Sequence, residues 1–214
     1  MKILHLDKNH DSLINELKSC GYINVEAYKM TLANVKSIIH QFDGIVIRSR
    51  FKIDTDFLKN GKRIKFIARV GSGLENIDIQ YLKKRGIELI SAPEGNSNAV
   101  GEHAVCLILS LLNKLNIAND SVKNKQWNRD KFRGHEIENK TIGIIGYGNT
   151  GKSLAKKLTG FNVKEIIFYD IIKKTKDSIA RQVSIEELQK KTNILSIHTP
   201  QNKLSIGMIN KDFI

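Results

Sequence analysis

Apolar residues in the first 91 positions fall into short runs separated by stretches of helical period. The runs are Lys2–Leu6, Ile23–Tyr28, Gly44–Ile47, Ile64–Val70 and Ile87–Ile90. Between them, Leu13, Ile14 and Leu17, and later Leu32, Val35, Ile38 and Ile39, recur at the spacing of one helix face. Short apolar strands alternating with helices predict a parallel, doubly wound sheet. Pro93, followed by Gly95, Asn96 and Ser97, marks a linker. A long helix is expected from Asn98 to Leu115, apolar through Val105, Leu107, Ile108, Leu109, Leu111 and Leu112. That is more than one helix face, so one side is to be covered by this chain and the other by a second subunit.

A second β/α series starts at Thr141, with strands expected at Thr141–Ile145, Glu165–Tyr169 and Asn193–Ile197 and a weaker one near Ala180–Val183. An apolar helical stretch is expected from Leu204 to Ile214, with no further strand behind it. A complete dinucleotide fold has two halves and about six strands. This series supplies the first half and one strand more, and it reads as unfinished. The expected fold class is α/β, with two doubly wound parallel-sheet domains. Residues 1–96 would form a flavodoxin-like substrate domain and residues 97–214 an incomplete Rossmann domain.

The turn after Thr141–Ile145 carries the chemistry. Gly146-Tyr147-Gly148-Asn149-Thr150-Gly151 lies between that strand and a helical run, and Asp170 closes the next strand 24 residues after the first glycine. The first glycine permits a tight turn, and the second lets the backbone approach a pyrophosphate. The helix start then offers N–H groups and the positive end of its dipole to that anion. A carboxylate at the tip of the next strand accepts ribose hydroxyls and repels the extra phosphate of NADP, so the cofactor expected is NAD. The same stretch, Gly146 to Ser153, also spells the phosphate loop of nucleoside triphosphatases, with Lys152 on phosphates and Ser153 on magnesium. Periodicity favours the first reading. Gly151, Leu154, Ala155 and Leu158 share one helix face, which puts Gly151 inside the helix on its buried side.

Composition narrows the class without naming a substrate. Hydrophobic content of 41% and charged content of 27% are ordinary for a soluble globular protein. No apolar run approaches the roughly 20 residues that cross a bilayer, and the first residues lack the apolar stretch of a secretory signal. Cys20 and Cys106 have neither metal nor disulfide spacing. A cytoplasmic protein with reduced thiols and no membrane partner is expected. The net charge of +13 invites a nucleic-acid partner, but the excess is spread over both halves and no basic block is interleaved with aromatics. No nucleic acid is expected.

Ligands of parallel sheets meet the loops at the carboxyl ends of strands. Arg48-Ser49-Arg50 follows Gly44–Ile47 and suits a carboxylate or phosphate. Gly71-Ser72-Gly73 follows Ile64–Val70 and offers backbone N–H groups to an anion. His198-Thr199-Pro200 ends a strand at the same edge as the glycine turn. Glu102-His103 has no second histidine at zinc spacing, since position 107 is leucine, so no metal site is expected. No hydrolase elbow occurs either.

Taken in order, these segments resemble the D-isomer-specific 2-hydroxyacid dehydrogenases over essentially the whole chain. The resemblance rests on Val46 to Arg50, Ala68 to Asp78, Ala92 to His103, Trp127, Phe132-Arg133-Gly134, the glycine motif, Asp170 and His198-Thr199-Pro200. It implies an NAD-dependent oxidoreductase acting on a small 2-hydroxy or 2-oxo acid in a cleft between two domains. Arg48, Ser49 and Arg50 would contact the substrate anion, and the paired arginines favour a phosphorylated acid such as 3-phosphoglycerate. Ser72 and Gly73 would donate main-chain N–H groups, and Asn96 and Val100 would line the cleft. Gly146, Gly148, Asn149, Thr150 and Gly151 would hold the pyrophosphate and Asp170 the adenosine ribose. His198, Thr199 and Pro200 would border the cofactor. The long helix would form a homo-oligomer interface. The family's carbonyl-orienting arginine, its tuning acid and its catalytic histidine lie beyond the point matching Ile214, so no catalytic residue is assigned and the 214-residue chain is expected to be inactive alone. Two alternatives stay open: another D-2-hydroxyacid dehydrogenase, or a non-catalytic NAD-responsive partner protein.

Overall fold

Five four-residue strands, β1 (Lys2–His5), β2 (Ile23–Glu26), β3 (Gly44–Ile47), β4 (Phe66–Arg69) and β5 (Glu88–Ser91), pair in parallel in the order β2-β1-β3-β4-β5. The structure, a computed structural model, describes residues 1–172 and 177–213. It divides into two compact units, Met1–Gly95 and Asn96–Ile214.

In the first unit, helices α1 (Asp11–Ser19), α2 (Leu32–Ile38) and α3 (Ile79–Arg85) return the chain between strands. Thr31 and Asp78 cap α2 and α3 by accepting the N–H of Asn34 and Tyr81. Gly86, at φ +64°, ends α3 in the left-handed conformation that favours glycine. Because strand side chains alternate, Leu4, Leu6, Ile45, Ile47 and Ile67 enter one core with Val35, Ile39, Phe42, Phe57 and Leu82. On the opposite face Ile3, Val46, Phe66, Ala68 and Ile90 border a groove of about 630 Å³ beside α1.

The second unit holds α4 (Ser97–Leu112), α5 (Leu115–Lys123), β6 (Thr141–Ile145), α6 (Asn149–Leu158), β7 (Glu165–Tyr169), β8 (Arg181–Gln182), α7 (Ile185–Lys191) and β9 (Ile194–Ile197). Its parallel sheet runs β8-β7-β6-β9. Ile142, Ile144, Ile166 and Phe168 pack on one side with Ile108, Leu154, Ala155 and Leu158 of α4 and α6. Ile145 and Ile167 pack on the other with Leu188 of α7.

Two elements differ from expectation. The long helix stops at Leu112 instead of Leu115: Lys114 turns left-handed at φ +53°, and His135 donates its N–H to the Leu112 carbonyl at 3.0 Å. The chain then resumes as α5, bent 62° from α4. The helical stretch expected over Leu204–Ile214 is a series of turns and bends through Phe213, and Ile214 lies outside the described residues. Asn202 accepts the N–H groups of Leu204 and Ser205, and Asn210 those of Asp212 and Phe213. These local bonds offer the backbone an alternative to the helix ladder. Among the described residues no single helix is long and apolar enough to cross a membrane, and no group of three or more His, Cys, Asp or Glu converges as a metal site.

Candidate functional site

The glycine turn is built where β6 ends. Gly146 has φ +89°, and a Cβ there would lie 2.7 Å from the carbonyl oxygen of His198. Both conformation and space demand glycine. Gly148 is different: it is the N-cap of α6 at φ −85° and ψ −156°, and a Cβ there would meet nothing within 4 Å. Neither backbone nor packing requires glycine at 148, so the open side is available to an incoming group. The first-turn N–H groups of a helix have no intrahelical partners, and no side chain caps α6. Asn149 and Thr150 therefore begin an uncapped helix end of positive polarity.

Gly151 sits inside α6 and is buried; a Cβ would lie 2.4 Å from the Gly146 carbonyl oxygen. A triphosphatase loop would keep this glycine ahead of the helix. Lys152 likewise belongs to α6, with Nζ 6.0 Å from the Tyr147 ring. The dinucleotide geometry is the one that these residues adopt.

Asp170 follows β7 and faces the turn. Its Oδ2 accepts the Tyr147 N–H at 2.9 Å and its Oδ1 the Ile172 N–H at 2.9 Å, while its carbonyl accepts Gln182 Nε2 at 3.0 Å. On the other flank His198 donates its N–H to the Ile145 carbonyl at 2.7 Å. Its ring bridges Thr150 Oγ1 (Nδ1, 3.1 Å) and Ser196 Oγ (Nε2, 2.9 Å). Burial lowers its pKa below the usual histidine value, so the ring is neutral at pH 7. Thr199 is half-buried beside Gly146, and Pro200 is exposed, its carbonyl accepting Ser205 Oγ at 2.6 Å. Gly146, Gly148, Asn149, Thr150, Gly151, Asp170, His198 and Thr199 thus converge on the carboxyl edge of β6, β7 and β9. Asn96 and Val100 lie in the same unit at the start of α4; Asn96 is exposed and Val100 half-buried.

In the first unit Arg48-Ser49-Arg50 and Ser72-Gly73 follow the adjacent strands β3 and β4. Arg48 and Ser49 are exposed, and the Arg48 N–H donates to Asp7 Oδ2 at 2.6 Å. Arg50 is employed otherwise than as an open anion contact. Its guanidinium donates to the carbonyls of Leu6 (3.0 Å), Ala27 (2.8 Å) and Met30, and it stacks over the Phe51 ring at 4.7 Å. These carbonyls lie just beyond β1 and β2, and the rigid five-donor fork of Arg50 reaches all three, that of Ala27 also accepting the Met30 N–H at 3.1 Å. Ser72 is exposed. At Gly73 a Cβ would come within 2.3 Å of a Glu75 carboxylate oxygen.

Sequence reasoning assigned no role to Tyr147 and did not foresee the Thr150–His198 bond. No periodic signal announces either one.

Comparison with known proteins gives the family. The family model described as D-isomer specific 2-hydroxyacid dehydrogenase, NAD binding domain, matches residues 105–214. D-3-phosphoglycerate dehydrogenase of Bacillus subtilis is 31% identical over 215 residues, which cover 100% of this chain and 41% of that protein. Hydroxypyruvate reductase of Thermotoga maritima is 32% identical over 209 residues, 98% of this chain and 67% of that protein. The NAD+-bound 3-phosphoglycerate dehydrogenase of Entamoeba histolytica superposes with a TM-score of 0.80 at 29% identity, over 100% of this chain and 67% of that one. The chain therefore spans less than half of the Bacillus relative and about two thirds of the other two. It belongs to the D-isomer specific 2-hydroxyacid dehydrogenases, a family of NAD-dependent oxidoreductases, and its second unit carries their NAD-binding domain.

Proposed function

We propose that this chain is the coenzyme-binding and part of the substrate-binding portion of a phosphoglycerate dehydrogenase, oxidising 3-phosphoglycerate to 3-phosphohydroxypyruvate at the cytoplasmic entry to serine biosynthesis. NAD bound in the second unit would supply the hydride acceptor. The amides of Asn149 and Thr150, with Gly146, Gly148 and Gly151 clearing the approach, would hold its pyrophosphate. Asp170 would accept the ribose hydroxyls, and Val100, His198, Thr199 and Pro200 would border the cofactor. The observation that carries this reading is the uncapped start of α6 beside open space at Gly148, with a carboxylate held at the same turn.

The first unit would bind substrate. Ser72 and Gly73 would offer main-chain donors to its carboxylate, and Arg48 with Ser49 an anion contact. With Arg50 satisfied by three carbonyls, Arg48 carries the larger share of any phosphate recognition. That same observation favours a second reading, a plain 2-oxo acid, as in the reductase relative. Exposed Leu107 and Leu111 of α4, with Leu115 and Ile117 of α5, support a homo-oligomer through this helix pair.

Calorimetric titration tests the coenzyme site. NADH is expected to bind one per chain, and Asp170→Ala to weaken it about tenfold or more, since a hydrogen bond to a charged group is worth about 1.5–3 kcal/mol. Equal affinity in the two proteins would contradict the role given to Asp170. Comparing 3-phosphoglycerate with glycerate in the presence of NAD, with and without Arg48→Ala, separates the two substrate readings.

A further inference from the structure

Three side chains in a row link β9 to the start of α6. His198, one residue beyond β9, donates its N–H to the Ile145 carbonyl at 2.7 Å. A Cβ on Gly146 would lie 2.7 Å from the His198 carbonyl oxygen, so the histidine backbone is seated against the glycine turn. Its ring reaches two hydroxyls: Ser196 Oγ from Nε2 at 2.9 Å and Thr150 Oγ1 from Nδ1 at 3.1 Å. Thr150 is half-buried and is the second residue of α6, whose start no side chain caps. A neutral imidazole has one N–H donor and one acceptor nitrogen, so the two bonds run the same way along the row. In one direction Thr150 gives its proton to Nδ1 and turns only lone pairs outward. In the other, Ser196 donates to Nε2 and Nδ1–H donates to Thr150 Oγ1. The threonine proton then stays available to an acceptor outside the row.

We propose that Ser196, His198 and Thr150 form a directed row of donors that aims the Thr150 hydroxyl proton at the coenzyme's pyrophosphate. Thr150 is then a side-chain ligand of that anion, and His198 is the positioning residue behind it. The proposal rests on the reading that the pyrophosphate lies at the start of α6. The anion selects the direction of the row. It is repelled by outward lone pairs and bound by an O–H, in a hydrogen bond strengthened by the anion's charge. Bonds that follow one another in one sense also polarise each other and strengthen the last of them. The backbone amides of α6 bind the anion whatever side chains they carry, so the row adds a contact that substitution removes by itself.

The test is a double-substitution cycle in NADH dissociation constants, measured by nicotinamide fluorescence, with thermal melts alongside. Thr150→Val keeps the shape and loses the hydroxyl; Thr150→Ser keeps the hydroxyl. His198→Phe keeps a ring and loses both nitrogens. Thr150→Val is expected to weaken NADH about tenfold, the scale of one hydrogen bond to a charged group, and Thr150→Ser less than about threefold. His198→Phe is expected to weaken NADH about fivefold by itself. In the Thr150→Val background it changes little further, because the row is already broken. Unchanged affinity in Thr150→Val overturns the proposal, and so do losses that multiply in the double variant. A lowered melting temperature with affinity intact also overturns it, making the histidine bond a tie within the fold. If His198→Phe does not fold, Ser196→Ala, at the far end of the row, takes its place in the cycle. A wild-type chain that binds no NADH overturns the reading of the site itself, whereas wild type and variants that bind equally overturn the proposal alone.

Discussion

At Gly151 two opposing effects meet. Alanine inside a helix is about 1 kcal/mol better than glycine by propensity alone, but here its methyl would lie 2.4 Å from the Gly146 carbonyl oxygen. Overpacking against backbone costs about 1–3 kcal/mol, so Gly151→Ala is expected to lower the melting temperature, and a rise would contradict the packing described. His198 gives a second expectation, with a sign. Burial depresses its folded pKa below the ordinary 6.5. Between the two values the unfolded chain binds more protons, so stability is full above about 6.5 and declines as pH falls through the depressed value. Thermal unfolding from pH 8 to 5 should show this acid limb, and His198→Gln should flatten it. A limb of equal slope in both proteins would assign it elsewhere. Gly151 was legible in the sequence because it shares a helix face with Leu154, Ala155 and Leu158. The surroundings of Tyr147 and Arg50 were not, because they come from partners distant in the chain: Phe168 for one, Leu6, Ala27 and Met30 for the other.

At the scale of elements, βα alternation made the strands readable, since central parallel strands such as β3 and β6, buried along their whole length, are continuous apolar runs. Helix ends were harder to read. Nothing in Leu111-Leu112-Asn113-Lys114-Leu115 breaks the apolar pattern, and α4 ends through the left-handed Lys114 and the His135 bond that arrives from 23 residues on. Helix α7 was overlooked although Ser184 and Glu187 have the spacing of a capping box, and Ser184 accepts the Glu187 N–H at 3.2 Å. Ser184→Ala should cost about 1 kcal/mol, measurable by denaturant unfolding; no loss would mean that the cap is immaterial. The exposed leucines of α4 and α5 make the oligomer proposal testable. Leu111 is 79% exposed, so Leu111→Glu should leave the melting temperature of an isolated chain little changed while shifting sedimentation toward monomer. Unchanged sedimentation of an associated chain would move the interface elsewhere.

For the molecule as a whole, the orders β2-β1-β3-β4-β5 in one unit and β8-β7-β6-β9 in the other are those of parallel strands, most of them joined through helices, although β3 reaches β4 through turns alone. That is why fold class and coenzyme turn could both be read from one sequence. The engagement of Arg50 could not, because the three carbonyls that hold its guanidinium are invisible to motif spacing. The central claim is that a dinucleotide's pyrophosphate approaches the start of α6 through the open side of Gly148. Calorimetry of NADH against the wild-type chain and Gly148→Val, with thermal melts as a control, tests it most directly. A side chain at 148 meets nothing within 4 Å of protein, so the variant is expected to melt like the wild type yet lose NADH binding. Binding retained by a folded Gly148→Val, or absent from the folded wild type, would contradict the claim.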